Sequence, residues 1–197
     1  MKRRNQQKQG EGTMEKASVP SVVCLGFFDG VHRGHLALLN AARKAAEEQG
    51  LIVCVHTFDH APGSKDFELT TLPEREALLR SAGADRVAVS VFNDEMRHMS
   101  GEDFLQSIVL KKLHARHIVC GDDHRFGYKG ACGVKELEAF CRGSGVGLTV
   151  VPPVTLPDGQ RISSTAIRQA IQQGNRPLAE AMLGRALPDA VWKKYQL

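Results

Sequence analysis

Five short apolar runs, separated by stretches of helical periodicity, leave few folds open to this chain. The runs are residues 20–26 (PSVVCLG), 51–58 (LIVCVHTF), 86–92 (RVAVSVF), 116–121 (RHIVCG) and 147–152 (GLTVVP). They are rich in Val and nearly continuous rather than alternating, as strands are when a sheet is covered on both faces. Between them, residues 34–48, 73–82, 101–113 and 133–142 carry apolar positions at helical spacing; Leu36, Leu39, Ala42 and Ala46 share one face of the first. Gly50, Gly83 and Gly143 follow the expected helix ends, where a left-handed cap is common. Two more helices are expected at residues 164–173 and 177–183. Strand–helix alternation of this kind predicts an α/β fold: a doubly wound parallel sheet of about five strands with helices on both faces. In such sheets ligands bind beyond the carboxyl ends of the strands, where strand order reverses.

The length of 197 residues suits one domain, expected at residues 19–190, between a polar tail at 1–18 and a short C-terminal tail at 191–197. The first tail (MKRRNQQKQGEGTMEKAS) holds almost no apolar side chains, a composition that stays disordered, and Met14 is an alternative start. Its Lys2, Arg3, Arg4, Lys8 and Lys16, set against Glu11 and Glu15, account for +3 of the +4 net charge. In the rest of the chain a basic face of the kind that grips a phosphate backbone is therefore not evident, and no nucleic-acid partner is expected. No apolar run reaches the ~18–20 residues of a bilayer span, and the polar N-terminus lacks an apolar signal core, so no membrane partner is expected. The cysteines Cys24, Cys54, Cys120, Cys132 and Cys141 form no CxxC pair, and the first three sit in apolar runs as small core residues. An odd count without a signal peptide fits a reducing, cytoplasmic setting.

The first strand–helix junction carries the strongest chemical signal. Gly26, Phe27, Phe28, Asp29, Gly30, Val31, His32, Arg33, Gly34 and His35 (GFFDGVHRGH) leave the first strand and open the first helix. Glycines let the backbone turn sharply and approach a ligand, and a helix N-terminus offers unpaired N–H groups to phosphate. His32 and His35, three apart, project to one side of the first turn, where two imidazoles can hydrogen-bond a phosphate under attack. The segment is neither GxxxxGK[ST] nor GxGxxG. The bland account is two histidines that merely cap and pack a helix start. A second segment, Ile162, Ser163, Ser164, Thr165, Ala166, Ile167 and Arg168, sets hydroxyls at a helix start and an arginine one turn on, able to donate to phosphate and fork onto its oxygens. An ordinary N-cap with a surface arginine would explain that segment alone.

Together the two segments resemble the (T/H)xGH and ISSTxIR signatures of the nucleotidylyltransferase superfamily, in the form used by bacterial FAD synthetases. Leu69-Thr70-Thr71, Phe92, Phe104, Val119-Cys120-Gly121-Asp122-Asp123-His124-Arg125-Phe126-Gly127 and Leu183-Gly184-Arg185 track the same pattern. The resemblance implies a Rossmann-like form of the fold and transfer of the adenylyl group of ATP to flavin mononucleotide (FMN), giving FAD. It implies His32, His35 and Arg168 as catalytic, with ATP contacts from Gly26, Phe27, Phe28, Asp29, Gly30, Gly34, Gly121, Asp122, Ser163, Ser164 and Thr165. Phe58, Asp123, Phe126 and Gly127 fall on the flavin side. Mg²⁺ is implied with ATP, and no side chain is assigned to it as a ligand. Asp29 is left three roles: orienting the loop, contacting the nucleotide, or helping hold the metal through water. Of Phe27 and Phe28, one is core and the other is free to touch the nucleotide.

The sequence also departs from that pattern. The chain ends at Leu197, shortly after Arg185, where the bifunctional enzymes continue into a riboflavin kinase; the expectation is that this module is absent and a separate kinase supplies FMN. Where the family has Phe-x-Pro-(His/Gln)-Pro, this chain has Phe58-Asp59-His60-Ala61-Pro62, and His124 replaces a common aromatic or apolar residue. These acceptor-side changes keep open another phosphorylated acceptor, with CTP as an alternative nucleotide, and a non-catalytic flavin- or nucleotide-binding module. His60 and His124 stand as pocket residues or surface substitutions. His56 reads as a core histidine, and no catalytic role is expected of His98, His114 or His117.

Overall fold

The computed structural model describes residues 19–62 and 67–195; the expected tail at 1–18 lies outside the described residues. The apolar runs form five strands, β1 (Ser21–Leu25), β2 (Ile52–Phe58), β3 (Arg86–Ser90), β4 (Ala115–Gly121) and β5 (Gly147–Val151). They make one sheet in the order β3-β2-β1-β4-β5, with every neighbouring pair parallel. Successive residues of a strand point to opposite faces, so a strand buried on both must be apolar throughout. β1 meets this requirement: Val22 and Cys24 enter one core cluster, Val23 and Leu25 the other.

Helices α1 (Arg33–Gln49) and α2 (Leu72–Ser81) cover the first face with Leu39, Ala42, Ala46 and Leu79. After β3 come α3 (Asp94–His98) and α4 (Gly101–Asp103), the latter running into a π-helical stretch, Phe104–Lys112. That stretch and α5 (Val134–Ser144) cover the second face with Phe104, Leu105, Val109, Leu137 and Cys141. Beyond β5, α6 (Ser164–Gln172), α7 (Arg176–Leu183) and α8 (Asp189–Lys194) close a third cluster over Leu69, Leu156 and Ile162. The chain winds from β1 outward to β3, then crosses back to place β4 against the free side of β1. Strand order reverses between β1 and β4, and a crevice opens there at their carboxyl ends.

The doubly wound parallel sheet is as expected, and element bounds agree to within about two residues. Three differences have physical reasons. Gly143 does not end its helix: α5 runs to Ser144 and is capped by Gly145 in the left-handed region (φ 69°). The stretch expected as an ordinary helix at 101–113 is wound with i→i+5 bonds, Leu113 N–H donating to the Ile108 carbonyl at 2.9 Å; its buried Leu105, Val109 and Leu113 recur at spacing four, which a wider turn keeps on one face. The short α3 and α8 lack a long apolar period, and α8 crosses position 190, so Val191, Trp192 and Tyr195 pack on the third cluster. Cys24, Cys54 and Cys120 are fully buried, and burial pushes the Cys120 thiol up to about 12. Among the described residues, no helix is long and apolar enough to cross a membrane.

Leu39 has no exposed surface and fills the space between α1 and the sheet. Leu39→Ala is expected to lower unfolding free energy by about 2–5 kcal/mol, as deletion of a buried leucine does. Urea denaturation checks this, and a loss under about 1 kcal/mol would place Leu39 outside the core.

Candidate functional site

A cavity of about 350 Å³ opens where the switch point predicts. Gly26, Phe27 and Phe28 from the end of β1 form one wall, and Gly121, Asp122 and Asp123 from the end of β4 form another. His32, Gly34 and His35 bring in the N-terminus of α1, and Ser163, Ser164 and Thr165 that of α6. Two helix N-termini thus face one space, each with unpaired N–H groups and a partial positive charge.

The histidine pair is a reciprocal cap. His35 N–H donates to His32 Nδ1 at 3.3 Å, and His32 N–H donates to His35 Nδ1 at 3.4 Å. A ring nitrogen that accepts carries no proton, so each neutral imidazole holds its proton on Nε2. The rings stack with centroids 3.6 Å apart. Burial, helped by the Arg185 charge, holds His32 down to about 4. Burial, and then the neighbouring His32, Arg185 and Arg75, hold His35 well below 6.5. The cavity therefore meets two neutral rings, each with an Nε2–H to donate. A Cβ at Gly34 would lie 3.0 Å from His32 Cε1, which is why glycine separates the pair. Capping and cavity lining, rival readings of HxGH in the sequence, are here one geometry.

The loop ahead of the pair is held against its own preference. Phe28 (φ 60°) and Val31 (φ 39°) occupy a region that residues with a side chain avoid. Gly30 (φ 77°) sits in a region that strains any side chain, and a Cβ there would also lie 2.8 Å from Leu69 Cδ1. Asp29, 3% exposed, pins this turn. Its Oδ1 accepts from Leu69 N–H at 2.8 Å and Thr70 N–H at 3.1 Å, and its Oδ2 accepts from Arg168 Nη1 at 2.8 Å. Burial pushes the Asp29 carboxyl up, opposed by those two amides and by the Arg168 charge. Ser164 Oγ donates to the Asp29 carbonyl at 2.9 Å, and Arg185 donates to the carbonyls of Gly30 (2.6 Å) and Val31 (2.9 Å).

Of the expected site residues, Asp29, Gly30, Phe58, Phe126, Gly127 and Arg168 do not line the cavity. The Asp29 oxygens accept from Leu69, Thr70 and Arg168, a geometry that matches the loop-orienting alternative among the three left to it. Arg168 is turned onto Asp29 rather than outward, because a buried carboxylate draws the nearest guanidinium. Both rings border the cavity; Phe28 is the core residue of the two (1% exposed) and Phe27 is half-buried. Phe126 is 7% exposed and packs with Phe104 in the second core cluster. His60 is exposed, paired with Asp59 at 2.9 Å and outside the cavity, whereas His124 lines it. His56 is a core histidine, as expected, bonded to Ser90 Oγ at 2.9 Å. Arg185 and Thr70, named in the sequence without a role, hold the loop behind the cavity, and Arg161, which lines it and bridges Asp122 (2.7 Å) and Asp123 (2.8 Å), was not singled out in the sequence. The Leu-Gly-Arg and Leu-Thr-Thr segments were the available signal for the first two.

A family model described as FAD synthetase matches residues 14–166. A bifunctional riboflavin kinase/FMN adenylyltransferase of Pseudomonas fluorescens is 39% identical over 173 residues, covering 83% of this chain and 54% of that protein. One of Listeria monocytogenes is 33% identical over 179 residues, covering 87% and 56%. The crystal structure of a macrolide-efflux protein from Streptococcus pneumoniae is similar, with a TM-score of 0.76 and 32% identity, covering 86% of this chain and 56% of that one. The chain spans about half the length of the curated relatives it matches.

Burial lowers His32, His56 and His124 to about 4 and His35 well below 6.5. Between pH 4 and 6.5 the unfolded chain binds more protons at these four sites than the folded one, so stability falls as pH falls. The melting temperature is expected to be highest above about pH 6.5 and to drop progressively toward pH 4. Calorimetry across that range checks it; a flat profile would mean the four imidazoles are not buried neutral.

Proposed function

Because the chain belongs to the FAD synthetase family, we propose that it transfers the adenylyl group of ATP to FMN, giving FAD and pyrophosphate. The observation that carries this reading is the meeting of two helix N-termini and two neutral Nε2–H donors in one cavity at the switch point. An FMN phosphate oxygen attacks the α-phosphorus of ATP, a new P–O bond forms, and the bond to the bridging oxygen breaks as pyrophosphate leaves with its electron pair. An ionised phosphate needs no nucleophile from the protein, so positioning and charge stabilisation are what the chain supplies.

His32 and His35 donate to oxygens on the α-phosphate, where charge develops. Ser163, Ser164, Thr165 and the N-terminus of α6 receive the β- and γ-phosphates. Gly26, Phe27, Gly34, Gly121 and Asp122 border the nucleotide, and Asp123 borders the flavin. Phe126 stacks on His124, which lines the cavity. Asp29 and Arg168 act as positioning residues, through the loop they hold. The carboxylates that line the cavity among the described residues, Asp122 and Asp123, both pair with Arg161. Magnesium would therefore be held mainly by the triphosphate, where it would neutralise charge. The relatives' names pair the transferase with a riboflavin kinase, the activity that would supply FMN. Five free cysteines suit a reducing cytoplasm. One observation favours a second reading, transfer to another phosphorylated small molecule: His124 stands in the cavity wall with its Nε2 unpartnered.

FAD formation followed by chromatography, together with pyrophosphate release from Mg·ATP, tests the reaction. His35→Ala is expected to cut turnover by roughly 10²–10³, as loss of one preorganised donor does. Near-normal turnover in the folded variant would remove His35 from the chemistry. Pyrophosphate released only with a different acceptor would keep the transferase and discard the flavin.

A further inference from the structure

Arg75, on α2, is the largest fully buried side chain among the described residues. Its Nη2 donates to the Phe58 carbonyl at 2.7 Å and reaches the Asp59 carbonyl at 3.4 Å. Nη1 lies 3.8 Å from the Glu68 carboxylate, and neither Nε nor Nη1 has a hydrogen-bond partner. A buried cation with open donors is costly, so its edge alone does not account for it. Its face does more. The guanidinium lies 4.2 Å over the centroid of the Phe27 ring. Thr57 Oγ1 donates to the Phe27 carbonyl at 2.8 Å, so this aromatic is held at backbone and ring alike. Phe27 lines the cavity.

We propose that Arg75 is a positioning residue that holds Phe27 as a stacking platform, with the ring face away from the guanidinium offered to a flat conjugated ring of the bound ligand. Lysine cannot replace it, because only a planar guanidinium stacks on an aromatic face while one of its nitrogens, here Nη2, is pinned to backbone carbonyls. Stacking on an aromatic tolerates any flat ring, so two sources share this chemistry: the adenine of ATP and the ring system of FMN. The choice of these two rings rests on the adenylyl-transfer reading; the platform does not.

Binding is measured apart from turnover, by titrating FMN through its fluorescence and a non-hydrolysable ATP analogue by calorimetry. The proteins are the wild type, Phe27→Leu, Phe27→Tyr and Arg75→Lys, each checked for folding by its thermal melt. Phe27→Leu is expected to weaken one probe about tenfold, and Phe27→Tyr to stay within about twofold. Arg75→Lys should weaken the same probe and add little on top of Phe27→Leu, because the two residues act as one unit. Loss confined to the ATP analogue assigns the platform to adenine; loss confined to FMN assigns it to the flavin. Wild-type affinity for both probes in Phe27→Leu overturns the platform, even if Arg75→Lys fails to fold. A wild type that makes no FAD, yet loses binding in Phe27→Leu, would sink the transferase reading and leave the platform standing.

Discussion

The Asp29 carboxylate joins three segments that lie far apart in the chain. One oxygen takes the amides of Leu69 and Thr70, the other takes Arg168, and the Asp29 carbonyl takes the Ser164 hydroxyl. These bonds hold a turn whose Phe28 and Val31 sit at positive φ, a conformation worth of order 1–3 kcal/mol of strain each and kept only when surroundings over-determine it. Arg185 adds two bonds to the carbonyls of the same turn. The cavity has its shape because this carboxylate, itself outside the cavity, makes one rigid unit of the β1–α1 turn, the start of α2 and the start of α6.

Within that unit one arrangement meets two demands. A helix start needs acceptors for its free amides, and phosphate chemistry needs donors aimed at the phosphate. Each imidazole has one nitrogen for each purpose. Nδ1 accepts the partner's backbone N–H, and this forces the proton onto Nε2. Burial with Arg185 close by keeps both rings uncharged, so each offers a neutral donor rather than a cation. Serine or threonine could cap the helix equally well but could not extend a donor so far from it.

The charges around the cavity are layered. Arg168 is consumed by Asp29, Arg185 by loop carbonyls and Arg75 by Phe27 and the end of β2. Arg161 bridges Asp122 and Asp123 at the mouth. Under the proposed reading, the triphosphate would meet a positive field from these guanidiniums and the two helix ends, with Arg125 and Arg161 as the long cationic side chains in the cavity lining. Preorganised dipoles of this kind cost little reorganisation when charge develops.

The sheet was legible in the sequence because burial on both faces leaves a local mark. Val22, Val23, Cys24 and Leu25 are consecutive and apolar, as a central strand between two helical layers requires. The residues of the cavity wall were legible for a similar reason: Gly26, His32, Gly34, His35, Ser163 and Ser164 belong to strand–helix junctions, whose chemistry is written in a few adjacent positions. What each remaining residue touches was decided only by tertiary structure. Arg168 looked outward from a helix start, yet a carboxylate 139 positions away turned it inward. The family resemblance put Phe126 and Gly127 on the flavin side, but Phe126 packs on Phe104 in the core while the preceding residues 121–125 line the cavity. Arg75 and Arg185 carried no signal of their partners, because those partners are backbone carbonyls and a ring face supplied by distant turns. Periodicity reports which side of an element faces the core. The direction of a long charged side chain depends on which opposite charge or open acceptor the fold brings within reach, and that is a property of the folded chain alone.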